Sequence, residues 1–119
     1  MNTKRTKQPD IVFSPSDLLT THREFTDMHG FVQAVHKLAV VWSWGASGWQ
    51  RTNANCLRFR VRGHHHKGYV FLAPNASDLF DVWLTTIGHK IRGHFTDVHI
   101  DSLIDVLDER IERVPEYRF

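Results

Sequence analysis

The chain has 119 residues, of which 41% are hydrophobic, including eight Phe and four Trp, enough for one domain with a core of its own. Its formal charge is +2, and no apolar run approaches the roughly 18 to 20 residues that cross a bilayer, so no membrane partner is expected. The single Cys56 excludes an internal disulfide and a multi-cysteine zinc site, which fits a reducing cytoplasm.

Residues 1–13 carry Lys4, Arg5, Lys7 and Pro9 with neither apolar periodicity nor an apolar h-region. They are expected to form a flexible basic arm, with 14–119 as a single α+β domain. Ser14, Pro15 and Asp17 make a good helix start: a capping hydroxyl, a proline where no N–H is needed, and a carboxylate at the positive end of the dipole. From Leu18 the apolar residues Phe25, Met28, Val32, Val35 and Ala39 fall mostly three or four apart. This stripe predicts one helix or two, with a break at Gly30. His22, His29 and His36 recur every seventh residue beside it. Seven residues of helix rise about 10 Å, too far for ligands of one metal at bonds of about 2 Å, so these read as boundary or surface histidines.

Leu38, Val40, Trp42 and Trp44 alternate with Ala39, Val41 and Ser43, which predicts a strand, with Gly45–Gly48 as the following turn. The three Trp nearby read as core and core-rim residues, with a stacking surface for bases or sugars as the functional alternative. Leu57, Phe59 and Val61 then alternate with Arg58, Arg60 and Arg62, the period-two pattern of a strand with one apolar and one cationic face. Gly63 and Gly68 bracket a polar loop before Tyr69–Leu72, so Cys56–Leu72 is expected to be a β-hairpin. Residues 78–86 fit a helix or a strand; a strand is expected because the preceding loop then becomes a hairpin turn. Residues 89–96, with Ile91 and Phe95 on one parity, suggest a further short strand. Ile100, Leu103, Ile104, Leu107, Ile111 and Val114 form an amphipathic helix that Pro115 ends, with Glu109 and Arg113 as a four-residue ion pair. The expected fold is α+β: an antiparallel sheet of about four or five strands with an N-terminal helical segment and the C-terminal amphipathic helix packed on one face.

Charge is segregated along the chain. No acidic residue lies between Asp27 and Asp78, whereas 96–119 carries seven acids against three arginines. Either the two ends attract each other in the fold or the basic half meets an external anion.

Catalytic chemistry has little support. His64 and His66 form a His-x-His pair that points one way in an extended strand, with a third metal ligand to come from His89, His94, His99, Asp78, Asp81 or Asp97. They sit in a hairpin tip, however, where ligand rotamers are poorly fixed. Cys56 has no His or Asp placed beside it by spacing, and no hydrolase, phosphate-loop or dinucleotide motif is present. A non-catalytic protein without a cofactor is the expectation, and a His-metal hydrolase the weaker alternative.

Binding has more. Arg58, Arg60 and Arg62 stand on one strand face about 6 to 7 Å apart, close to the spacing of successive phosphates. Lys67 and Arg51 extend the stripe, and Tyr69, Phe71 or Trp49 supply stacking on that face. The expected partner is nucleic acid or an acidic protein surface; the alternative is a protein-interaction module or inhibitor. A short single domain with an unpaired thiol and no catalytic signature is similar in general look to small accessory proteins of bacteria and their phages. The oligomeric state, a dimer included, is left open.

Overall fold

The alternation of apolar and polar residues through the middle of the chain produces five strands in one antiparallel sheet whose spatial order is its sequence order. They are β1 (Ser47–Asn53), β2 (Cys56–Arg62), β3 (Lys67–Pro74), β4 (Phe80–Thr85) and β5 (Ile91–Val98). The structure, a computed structural model, describes residues 11–113. The central hairpin has Leu57 opposite Leu72, Phe59 opposite Val70 and Arg62 opposite Lys67. Residues 78–86 take the strand alternative: β4 is buried along its whole length between β3 and β5.

The inner face, carrying Leu57, Phe59, Val61, Val70, Leu72, Val82 and Leu84, is covered by three helices: α2 (Met28–Val35), α3 (Ala39–Ser43) and α4 (Ile100–Ile111). Leu103, Leu107 and Ile111, the apolar stripe of α4, are at most 1% exposed. Burying such aliphatic side chains contributes about 1.5–3 kcal/mol each, so this face carries most of the hydrophobic stabilisation. The outer face is covered only in part. A 3-10 turn (Pro15–Asp17) and α1 (Leu18–Thr21) lay Phe13 and Leu18 over Cys56, Phe71, Ala73 and Trp83. The N-terminal helical segment is thus divided between the two faces. It crosses round the end of the sheet, where Arg23 N–H donates to Pro74 O and Phe25 N–H to Ala54 O, both at 2.9 Å. Those bonds put the break at 22–27. Gly30, expected to be the break, instead lies in the first turn of α2.

Several local expectations are corrected. Residues 39–43 form a helix, not a strand: Val41 and Trp44, three apart, are each 1% exposed while Trp42 is 72% exposed. That is helical periodicity, which the short apolar run concealed. Ile91 and Phe95 do not share a face, because a bulge separates the pairs Leu84–Gly93 and Thr85–Ile91 and reverses the parity. Arg113 pairs with Asp108 at 3.1 Å and Asp105 at 3.7 Å. Of the expected arm, 1–10 lie outside the described residues; Val12 bridges Lys90, and Phe13 is buried. Val114 and Pro115 also lie outside the described residues. Among the described residues, no helix is long and apolar enough to cross a membrane.

Candidate polyanion-binding face

Antiparallel partners share a face, so the register fixes which cations can act together. Arg58, Arg60 and Arg62 on β2 stand with Phe71, Tyr69 and Lys67 of β3 on the outer face. The N-terminal segment covers the Phe71 end, leaving Arg60, Arg62 and Lys67 exposed at the other. None of the ion pairs among the described residues includes these three. Arg62 and Lys67 are direct cross-strand partners, and like charges so placed repel. Arg58 differs: its guanidinium lies 4.4 Å from the centre of the Tyr69 ring, one terminal nitrogen donates to Gln50 Oε1, and its buried Nε has no partner. It is the half-buried root of the stripe, packed as much as charged.

Two expected members stand elsewhere. Arg51 is opposite Leu57, and Trp49 stacks on Phe59 at 4.3 Å, which puts both on the inner-face side. The cause is a register shift in β1 between Ser47 and Gln50, which shifts parity relative to β2. Phe71, a stacking candidate, is on the outer face but fully buried under Phe13, their rings 4.5 Å apart.

The histidine tip is not a free loop. His65 N–H donates to Ile111 O at 2.8 Å and His64 N–H to Glu112 Oε1 at 2.9 Å, so the tip closes the C-terminal end of α4. His66 turns inward to 7% exposure and donates from Nε2 to Tyr69 O. Burial lowers its pKa, with nearby Arg92 acting the same way against the opposing Tyr69 bond. His64 and His66 therefore do not form a pair of ligands, and the described residues hold no group of three His, Cys, Asp or Glu side chains that could bind a metal. Cys56 is fully buried; burial pushes its thiol up to about 11, outweighing Thr52 and Arg58, so it is no nucleophile.

A polar cluster that no spacing announced lies at the covered end of the outer face. His22 Nε2 is 2.6 Å from Asp81 Oδ2, while Asp81 Oδ1 accepts from Asn75 Nδ2 and from Asp97 N–H, both at 3.0 Å. Burial opposes the Asp81 carboxylate, but the Asp97, His22 and Asn75 bonds and the attraction of His22 outweigh it and hold the pKa below the usual range. His22 Nδ1 is also 2.8 Å from Thr21 Oγ1, giving a hydroxyl, an imidazole and a carboxylate in line. The Thr21 hydroxyl donates back to Asp17 O at 3.1 Å, which engages its proton within the helix. Chemically the cluster is a latch that ties the N-terminal segment to β4.

No family model matches this chain, and neither does any curated protein or solved structure. What the geometry defines is a class: an α+β domain built on an open antiparallel meander, whose outer face is covered in part by the N-terminal segment and bears Arg60, Arg62 and Lys67, none of them in an ion pair among the described residues.

Proposed function

We propose that this protein is a non-catalytic binding module that engages a polyanion, nucleic acid in the first instance, through Arg60, Arg62 and Lys67, with Arg58 and Tyr69 at the base of the patch. One observation carries the reading: three exposed cations, two of them directly opposed, have no carboxylate partner among the described residues. Their mutual repulsion is relieved when an external anion binds, and strand spacing suits a series of phosphates. Glu112, at the end of α4, lines a shallow pocket with Arg62 and Lys67, but among the described residues no carboxylate comes within ion-pair distance of Arg60, Arg62 or Lys67. A free thiol accords with a cytoplasmic setting.

A second reading, docking of a partner protein, draws on the α4 surface. Asp101, Asp105 and Glu109 are four apart and exposed, an acidic ridge suited to a basic partner.

The test is fluorescence-polarisation binding to labelled single- and double-stranded DNA and RNA across a salt series. Wild type should bind with a log-log salt slope set by the number of phosphates neutralised. The exposed pair Arg60→Glu and Arg62→Glu should weaken binding about tenfold or more at low salt and flatten the slope by roughly 0.7–0.9 per lost contact. Arg58 is unsuitable for this purpose because it is packed against Tyr69. Wild-type affinity and slope in the double variant would remove the patch from consideration; one saturable, stoichiometric protein complex instead would favour α4.

A further inference from the structure

At the β1 edge, beside the cationic patch, lies a cleft of about 340 Å³ lined by His36, Val41, Trp42, Ala46 and Trp49. It is at the small end of ligand cavities, and two of its walls are indoles. Trp42 is 72% exposed, yet its ring is not loose: Nε1 donates to His36 O, so the indole is held at the cleft with its polar edge satisfied. Trp49 is braced from behind by Phe59. His36 is fixed too, since its Nδ1 donates to Val32 O at 2.9 Å, which leaves Nε2 as the ring nitrogen able to bond a ligand. An exposed tryptophan held in place beside a second, braced one is an arrangement that suits stacking on a flat aromatic group.

The surroundings say which flat group. Cleft-lining Ala46 adjoins Ser47, the cross-strand partner of Arg60, and Arg62 N–H donates to Trp44 O at 2.7 Å. From one Cα to the next is about 3.8 Å and across the strand pair about 5 Å, so the cleft lies within one or two nucleotide spacings of the Arg60 backbone. The patch is on the outer face and the cleft on the inner side, with the exposed edge of β1 between them. At that edge stands Gly48, at φ +65° and with open space where a side chain would be, so this position adds no side chain in the way of a strand passing round it. A duplex is too wide and stiff to make that turn, whereas a single strand can turn and has unpaired bases to offer.

We infer that a single strand of nucleic acid held on Arg60, Arg62 and Lys67 turns round the β1 edge at Gly48 and seats one base in the Trp42–Trp49 cleft. The inference rests on the polyanion reading and adds to it the strandedness of the ligand and a stacking site. Phosphate contacts then set the salt dependence, and the cleft sets the preference for strands that carry unpaired bases.

The experiment compares a labelled oligothymidylate of roughly a dozen nucleotides, a length typical of single-strand sites, with a strand of equal charge lacking its bases, and with a duplex. The proteins are wild type, Trp42→Ala and Trp42→Phe, each checked for folding by thermal melting. Wild type should bind the base-bearing strand more tightly than either competitor. In Trp42→Ala that affinity should fall about tenfold or more with the salt slope unchanged, the gap to the abasic strand should close, and Trp42→Phe should restore much of it. If Trp42→Ala binds the base-bearing strand as wild type does, or wild type prefers the duplex, the cleft inference is overturned and the cationic patch stands. If wild type binds no strand even at low salt, the polyanion reading itself fails and the cleft falls with it.

Discussion

Asp81 faces a bulge in β5, where Asp97 adopts φ +59° and its N–H turns to the Asp81 carboxylate at 3.0 Å. A side chain here satisfies a backbone donor that the bulge removed from the ladder, and the same carboxylate holds His22. Because the folded-state pKa is depressed, the stabilisation is present above the unfolded value of about 3.9 and is lost as pH falls through the folded value. Asp81→Asn turns an N–H₂ toward one of its donors; it should lose about 1–3 kcal/mol at neutral pH and show a shallower loss of stability below about pH 4. Urea unfolding at neutral pH and near pH 3 measures both, and an unchanged midpoint and pH slope would show that the cluster contributes nothing. None of this was legible in the chain. His22 and Asp81 are 59 positions apart, and each matched other readings: a boundary histidine, and one of several spare carboxylates.

At the level of elements, the β2–β3 hairpin and α4 behave as one unit. A Cβ added at Gly63 would fall 2.2 Å from Ile111 O, the carbonyl that accepts from His65 N–H. Gly63→Ala must push the hairpin tip off the helix end, and destabilisation of about 2–4 kcal/mol is expected, read as a lowered melting temperature. If the variant melts like wild type, the tip does not dock as described. The hairpin and α4 were legible because each has a long or unambiguous period: arginines alternating with apolar residues, or Leu103, Leu107 and Ile111 at helical spacing; β4 fitted both periods, and only the turn before it favoured a strand. Residues 38–44 were not. A run in which nearly every residue is apolar satisfies both periods, and burial of Val41 and Trp44 against Phe59 and α4 decided for helix. There Trp44 Nε1 donates to Asp108 Oδ1 at 2.9 Å, a partner 64 positions away.

Over the whole molecule, one sheet separates two environments. Its inner face is closed by helices, and its outer face is closed at one end by the N-terminal segment and open at the other, where the cations stand. Cys56 lies beneath that segment with Leu18, and its thiol, pushed up to about 11 mainly by burial, reports on the cover. Reaction with a thiol reagent near pH 8 should be at least about a hundredfold slower than for an exposed cysteine, and faster in Asp81→Asn as the latch loosens. Complete labelling of the wild type within seconds would mean that the segment does not stay on the sheet. Nucleic acid binding, if it follows the open end alone, should leave that labelling rate unchanged.

The sequence by itself determined the α+β class, the central hairpin, the C-terminal helix and a strand with cationic residues on one side, because those features follow from local period and turn chemistry. Tertiary structure decided which cations share a surface. Bulges in β1 and β5 reversed parity, sending Arg51 and Trp49 to the far side from Arg60 and separating Ile91 from Phe95. It also decided how much of the outer face is open, since the path of the N-terminal segment depends on backbone bonds to Ala54 and Pro74 that no local pattern encodes. Period reports which face a residue takes within its own strand; only the register between strands and the packing above them sets which of those faces meets solvent.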